Sequence, residues 1–448
     1  PGAVGGRERH GLKGHVQGSD PTIATTAPAA PVAGSDPSPG IALIGTLDTK
    51  GAEIAYVRDR LRALGARPLV VDSGVLGEAD GIEPDVGRTE VARAGGHDLE
   101  EIRSAGSRGA AVQLMLEGVR AVVLQAYGEG RVHGVLCLGG AEGALLGAAA
   151  MHALPVGVPK LIVSPSASGR RAFGPFVGEG DVMVMHSVID ILGLNEIARA
   201  IFDNAAAAVV GMARDGGRPV RELGDKCVGI TMLGQTTPGV MRVREALVDA
   251  GHEPVIFHAN GVGGPAMEHL IEAGALGGVI DYTLSELANS LMDGIHATGP
   301  DRLRVAGRHG IPQVVVPGCV DFFNQGARDT VPERYRSRKS YFHNPVATLV
   351  RLTAEEESTL GRQVAERLNE ATGPVRVVAP TKGFSLADAE GGDLWDPEAD
   401  HAFLDALRGA LRPDIPYESV EAHVDDAAFA DIVAERYLTM TQEPAHAR

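Results

Sequence analysis

From residue 41 the chain alternates two hydrophobic patterns. Short, nearly continuous Val/Ile/Leu runs at 41–45, 68–72, 134–138 and 160–164 read as buried strands. Stretches with helical spacing near 52–64, 107–126, 142–152 and 186–212 read as helices. Strands apolar on both faces, alternating with helices, predict a parallel sheet covered on both sides. The polar segment Arg214-Asp-Gly-Gly-Arg-Pro219 interrupts the alternation, and 214–225 reads as a linker. The pattern then restarts. Strands are expected at 227–232, 254–258, 278–282, 312–317, 375–379 and 417–422. Helices are expected near 239–250, 265–274, 285–296, 302–309, 353–371, 400–411 and 426–440. The fold class is therefore α/β, with two Rossmann-like, doubly wound parallel-sheet subdomains in tandem, at 41–213 and 226–448. Residues 1–40 are rich in Gly, Pro, Ala, Ser and Thr and lack the apolar core of a signal peptide, so a disordered tail is expected there.

The two halves echo each other. Gly65-Ala-Arg-Pro68 leads into Leu69-Val-Val-Asp72, and Gly251-His-Glu-Pro254 leads into Val255-Ile-Phe-His258. In each, glycine closes a helix and a polar residue ends the strand seven positions later. Upstream, Gly234-Gln-Thr-Thr-Pro238 takes the place of Gly45-Thr-Leu-Asp-Thr-Lys50. Duplication of one half, or one scaffold used twice, gives this pattern.

Polar residues gather at the strand ends, where ligands bind in open α/β sheets. In the loop Gly45 to Lys50, Lys50 suits a phosphate, Asp48 suits Mg²⁺, and Thr46 and Thr49 suit either. The N–H groups of the following helix favour an anion. This is no Walker loop, since G-x-x-x-x-G-K-[ST] is absent. The alternative is a plain turn in which Asp48 and Thr49 cap the helix. A second loop carries Gly139, Gly140 and Gly143, which let backbone approach a ligand closely. Its Glu142 repels phosphate but suits Mg²⁺, a ribose hydroxyl or its own helix dipole. Asp72 and Ser73 end another strand, and Ser164, Ser166 and Ser168 a fourth. Four such loops can converge on one crevice.

The second half offers His258, Asp281, Glu286, Asp321, Arg338, Lys339, His343, Asn344 and Lys382 near strand ends. An imidazole, carboxylates and cations suit acid–base chemistry or a bound carboxylate or phosphate. Each also suits a salt bridge or a cap. His186 and Asp190 read as an i, i+4 pair on a helix.

Composition narrows the partners. Lys and Arg number 41 and Asp and Glu 58, a net charge of −17. That argues against nonspecific nucleic-acid binding and against an anionic membrane surface. No apolar run reaches the roughly 18 residues of a membrane span. Cys137, Cys227 and Cys319 lie in or beside apolar strands without a CxxC, which predicts buried free thiols in a reducing, cytoplasmic setting. Cys319 alone, at a strand end before Asp321, stands where a nucleophile belongs.

Several of these segments together resemble an ATP-binding family named after the tomato mosaic virus resistance protein. The marks are Gly45-Thr-Leu-Asp-Thr-Lys50, Val71-Asp-Ser-Gly74, Ala153-Leu-Pro-Val-Gly-Val-Pro-Lys160, Thr231-Met-Leu-Gly-Gln-Thr-Thr-Pro238, Phe257-His-Ala-Asn-Gly261, Gly299-Pro-Asp-Arg-Leu303, Val316-Pro-Gly318 and His343-Asn-Pro345. The resemblance covers 41–440. It implies two Rossmann-like subdomains, with ATP and Mg²⁺ in the first, contacting Thr46, Asp48, the Ser73 region and the Gly139–Gly143 loop. The chain departs from that family's glycine-, serine- and threonine-rich loop at Gly139-Gly-Ala-Glu-Gly-Ala144, and has Pro165-Ser166 where Thr-Met is usual. Both changes are expected to weaken ATP binding. The leading expectation is an ATP-dependent or ATP-regulated enzyme, a homodimer or larger homo-oligomer, acting on a small anionic metabolite between the halves. His258 would do acid–base work, and Arg338 or Lys382 would hold the substrate. Rival readings are a nucleotide-binding interaction protein without turnover, and an enzyme with a degenerate ATP site.

Overall fold

A computed structural model of the chain describes residues 38–442 apart from 168–173, 179, 218, 221–223 and 225. The tail expected over 1–40 lies outside the described residues up to 37, and the first strand begins at Gly40.

The first half runs β1 (Gly40–Gly45), α1 (Leu47–Ala63), β2 (Arg67–Asp72), α2 (Arg88–Ala94), α3 (Leu99–Arg103), α4 (Arg108–Gly128), β3 (Gly134–Leu138), α5 (Ala141–His152), β4 (Lys160–Ser164), α6 (Gly174–Val177), β5 (Met183–His186) and α7 (Glu196–Asp215). Its five strands are all parallel, in the order β2-β1-β3-β4-β5. Alternate residues of each strand feed the two faces. Ala42, Ile44, Val135, Cys137 and Ile162 pack with Met115 and Val119 of α4 and Leu146 of α5. Ile41, Leu43, Leu136, Leu138 and Val163 pack with Ile54 of α1 and Phe202 of α7. This two-sided burial is why the strands are apolar throughout.

The second half runs β6 (Cys227–Met232), α8 (Thr237–Asp249), β7 (Glu253–His258), α9 (Gly263–Glu272), β8 (Gly278–Thr283), α10 (Ser285–Leu291), α11 (Val305–His309), β9 (Gln313–Gly318), β10 (Phe322–Gln325), β11 (Ser340–Asn344), β12 (Ala347–Arg351), α12 (Ala354–Asn369), β13 (Val375–Pro380), α13 (Pro397–Ala410), β14 (Tyr417–Val420) and α14 (Ala427–Gln442). The main sheet is parallel, in the order β14-β13-β9-β8-β6-β7. Counted from β6, this is the strand order of the first half with one strand added. Gly65 and Gly251, the matching helix ends, share left-handed φ values of 80° and 82°. The echo read in the sequence is thus an echo of topology.

Three departures from the expected elements share one cause. The helix expected over 186–212 is edge strand β5, a turn, and α7, with Asn195 capping α7 through Ala198 N. His186 ends β5, so it is not one helical turn from Asp190. Helices α2 and α3 span seven and five residues. Strands β10, β12 and β11 form a small antiparallel sheet. The missed elements β5, α2, α3, β10, β11 and β12 are only four to seven residues long, too short for a periodicity to mark them.

Candidate functional site

In a sheet of order 2-1-3-4-5, the chain leaves β1 towards one side and β3 towards the other, which opens a crevice between their carboxyl ends. Here β1 and β3 are neighbours, with Ile44 beside Cys137. The loops at Gly45–Lys50 and Gly139–Gly143 therefore flank the switch point. Asp72 and Ser73 end the next strand on the β1 side, and Ser164 the next on the β3 side. Ser168 lies outside the described residues.

The β1 loop is built around Asp72. Its Oδ1 accepts the N–H groups of Leu47, at 3.2 Å, and Gly74, at 2.9 Å. Its Oδ2 accepts Nε of Arg88 at 2.8 Å, and both side chains are at least 95% buried. Asp72 thus supplies the negative charge that the start of α1 favours. Asp48 Oδ2 accepts the Gly77 N–H at 3.1 Å, and Oδ1 accepts no hydrogen bond from the described residues. Thr46 Oγ1 and Thr49 Oγ1 lie 2.9 Å apart. Lys50 breaks the helix (φ −131°, ψ 15°); its backbone N–H donates to the Thr46 carbonyl at 2.9 Å, and its ammonium has no hydrogen-bond or ion-pair partner among the described residues.

The glycines of the second loop divide into two kinds. A Cβ on Gly139 would meet Gly143 Cα at 2.7 Å, so Gly139 permits α5 to pack on β3. A Cβ on Gly140 would meet nothing within 4 Å. Gly140 caps α5 without a side chain, which leaves the first backbone N–H groups of α5 without a side-chain acceptor. Glu142 lines a groove of about 390 Å³ between α4 and α5. Gly139→Ala is expected to cost about 1–3 kcal/mol by overpacking, while Gly140→Ala stays within about 0.5 kcal/mol. Urea denaturation of the two variants checks this, and equal costs would sink the distinction.

Ser164 Oγ is buried and accepts the Ser166 N–H at 3.2 Å. Ser73 Oγ is buried without a partner, as are Nη1 and Nη2 of Arg88. Sequence reasoning passed over Arg88. Its link to Asp72 spans sixteen residues of mostly irregular chain, and no local signal announces it.

In the second half His258 ends β7 and is exposed. A side chain at Gly261 would meet the carbonyls of His296 and Ala297 at 3.1 Å, so the His258 loop lies against the His296 segment. Burial, and then the neighbouring His258 and His343, hold the His296 imidazole below its usual range. Its Nδ1 is buried without a partner. The fold therefore gathers His258 of β7, His343 of β11 and the unforeseen His296 at one corner. Among the described residues no three His, Cys, Asp or Glu side chains are placed to hold a metal ion.

Glu286 stands behind that corner. It accepts the N–H groups of Gly261, at 2.9 Å, and Gly264, at 3.0 Å, and pairs with Arg302 at 2.7 Å. Arg302, fully buried, also pairs with Asp281 at 2.6 Å and Glu268 at 3.2 Å. Burial pushes Glu268 up to about 7. Asp321 belongs to a second buried cluster. Its Oδ2 accepts the Ser385 hydroxyl at 2.8 Å, its backbone carbonyl accepts Arg351 Nη1 at 2.7 Å, and its Oδ1 has no partner. Arg351 also pairs with Glu357 and Asp400. Burial raises Asp321, lifts Glu357 well above the carboxylate range, and pushes Asp388 to about 9 and Asp400 to about 7. Cys319 has a left-handed φ of 56°, and burial followed by Asp321 drives its thiol well above the usual range. That is the opposite of an activated thiolate.

The expected cations are already matched. Arg338 forms a two-pronged pair with Glu356 at 2.7 and 2.9 Å and stacks on Tyr335. Lys382 pairs with Glu421 at 3.2 Å on the surface, where such pairs are weak. Cys137, Cys227 and Cys319 are all free and buried. No helix of the described residues is long and apolar enough to cross a membrane.

Both halves match domain models of one family. Residues 39–217 match the N-terminal domain of the Uncharacterised protein family (UPF0261), and residues 225–441 its C-terminal domain. A UPF0261 protein of Clostridium tetani is 38% identical over 90% of this chain and 99% of its own length. A UPF0261 protein of Rhizobium meliloti is 38% identical over 89% and 98%. The ToMV susceptible protein tm-1(GCR26) of Solanum lycopersicum is 32% identical over 91% of this chain and 57% of its own length. Among solved structures, the UDP-GlcNAc 2-epimerase of Methanocaldococcus jannaschii covers 90% of the chain and is itself covered over 99%, at 11% identity and a TM-score of 0.21, too low for any functional argument. The resemblance read from the strand-end motifs is thereby substantiated at the level of the family: the chain belongs to the UPF0261 family, to which both of its α/β halves contribute a domain.

Proposed function

We propose that the chain is an enzyme that takes ATP with Mg²⁺ at the β1/β3 switch point and acts on a small anionic metabolite at the histidine corner of the second half. The observation that carries the nucleotide is the pairing of two helix starts across one switch point, with Gly140 open and Lys50 unmatched among the described residues. The residues fit the group. Lys50 and the first N–H groups of α5 suit phosphate oxygens. The hydroxyls of Thr46 and Thr49 are within reach of the same loop, and Asp48 Oδ1 is the carboxylate oxygen left for Mg²⁺, which commonly binds one or two carboxylates besides phosphates. When bound, ATP supplies an electrophilic phosphoryl group. His258, exposed at its strand end, accepts or donates the proton of the metabolite, beside the His296 imidazole that burial, His258 and His343 hold below its usual range. Glu286 orients the His258 loop through two backbone N–H groups. Three buried free thiols suit a reducing, cytoplasmic setting.

Calorimetric titration with ATP and Mg²⁺ tests the first half. Binding heat is expected, and Lys50→Ala weakens it by roughly 10- to 100-fold, the worth of a charge-assisted hydrogen bond. Neither heat nor a thermal shift at millimolar ligand would overturn the nucleotide reading. His258→Ala should keep ATP binding and lower turnover on a panel of anionic metabolites by about 10²–10⁴-fold. Binding without turnover in the unaltered protein would make it a nucleotide-binding protein rather than an enzyme.

A further inference from the structure

We propose that the two halves close on each other, the carboxyl edge of one sheet against the carboxyl edge of the other. In the structure both edges stand uncovered. The argument goes beyond the proposed reaction, because it rests on surfaces and needs no nucleotide.

Nothing apolar locks the halves together. Among the described residues each buried hydrophobic cluster belongs to one half, and none combines residues of both. Without a large apolar interface, motion of one domain against the other is the default. Both sheets nevertheless present large hydrophobic side chains to solvent at their carboxyl edges. In the first half Leu76 follows β2, and Val188 and Leu192 lie between β5 and α7. In the second half Val262 follows β7, Ile295 adjoins His296, and Leu386 follows β13. One exposed hydrophobe needs no explanation, but a group at the same edge of each sheet marks a contact surface.

Two further features favour the other half as what covers each edge. Val188 is held at a left-handed φ of 64°, a strained conformation for a β-branched residue, and is 64% exposed. Its loop is fixed from within. The Ser187 hydroxyl donates to the Ile189 carbonyl, the Gly193 N–H donates to the buried Glu53 at 2.6 Å, and Asn195 caps α7. The fold therefore accepts strain to present an apolar side chain on a rigid support. Charge is complementary as well. Asp80 and Glu83 beyond Leu76, and Asp190 and Glu196 on either side of Leu192, are exposed and meet no cation among the described residues. On the connection between β10 and β11, Arg328, Arg334 and Arg336 outnumber Asp329 and Glu333 and pair with no carboxylate among the described residues. An acidic edge thus has a basic counterpart in the same chain. Closure would also bring the His258 corner over the switch point, the approach that the proposed chemistry requires.

Small-angle X-ray scattering and amide hydrogen exchange on the full chain, free and with millimolar ATP and Mg²⁺, test the closure. The comparison is the double variant Val188→Asp, Val262→Asp, which puts a carboxylate on each face and opposes their contact by desolvation. Asp suits a left-handed φ better than Val, and Val262 is the N-cap of α9, where Asp is favoured, so the variant keeps its fold. The unaltered chain is expected to have the smaller radius of gyration, and slower exchange over 187–192 and 259–264. A segment covered only in the closed form exchanges in proportion to the open fraction, so about 50–90% closure slows it roughly 2- to 10-fold. Equal scattering and equal exchange in the two proteins, with and without the nucleotide, would overturn the closure. So would a light-scattering mass of two chains that falls to one in the variant, which would give these faces to a second copy. Calorimetric heat with ATP but no difference between the two proteins would remove the closure and leave the nucleotide reading standing. A more compact unaltered chain without ATP heat would do the reverse.

Discussion

Arg302→Met is expected to destabilise the second half by about 3–5 kcal/mol or more, the usual loss when one partner of a buried ion pair is removed. In a domain whose whole stability is about 5–15 kcal/mol, that approaches unfolding. The size follows from the count of charges. One fully buried guanidinium faces Glu268, Asp281 and Glu286, and its loss leaves three buried carboxylates without a cation. Glu268→Gln is the informative control. Glu268 is already pushed up to about 7 by burial, so a neutral side chain there should be tolerated far better. Urea denaturation followed by circular dichroism separates the two. Similar costs for Arg302→Met and Glu268→Gln would show that packing, not charge balance, holds this region. The consequence reaches the candidate site, because Glu286 pins the loop of His258 from behind.

Stability should also fall as the pH rises from about 4 to 9, the reverse of an ordinary acid-labile protein. Burial, reinforced by Asp321 and Asp400, pushes Asp388 to about 9, and burial pushes Asp400 to about 7. An acid that holds its proton more tightly when folded than when unfolded stabilises the fold while it is protonated. Its contribution is complete below the unfolded carboxylate range near 4, shrinks as the pH climbs, and is gone above the folded value. The physical cause is the crowding of Asp321, Glu357, Asp388 and Asp400 around the Arg351 guanidinium. Asp388→Asn mimics the protonated acid and can still accept the Phe384 N–H that Asp388 Oδ2 holds at 2.9 Å. It should flatten the decline and gain relative to the parent at pH 9. Melting temperatures from pH 5 to 9.5 give the answer, and a parent curve that rises across that range would refute the account.

How much of this was legible beforehand differs by residue. The strand ends at Gly45 and Leu138 were found because a strand, a loop and a helix start are contiguous, and their neighbourhood in space follows from parallel topology. Gly139 and Gly140 look alike in a sequence, yet one is a packing necessity and the other is open, because the difference depends on how close α5 comes to β3. His258 and His343 each stand at a strand end in the sequence, but their meeting through His296 depends on a small antiparallel sheet whose strands, four or five residues long, are too short to leave a periodic trace. Arg88 carries no signal in the sequence, because its partner Asp72 lies sixteen residues away across mostly irregular chain.

Hydrophobic alternation was sufficient for the two parallel sheets and their covering helices. Burying an apolar strand on both faces is favourable wherever it occurs, and each strand announces that preference within its own few residues. Charge carries no such local label. Arg302, Arg351 and Asp72 are neutralised, the Lys50 ammonium stands without a partner among the described residues, and Arg88 keeps two donors over, because each outcome rests on which distant segments the folded chain brings within a few ångströms. A buried charge must find its partner in three dimensions.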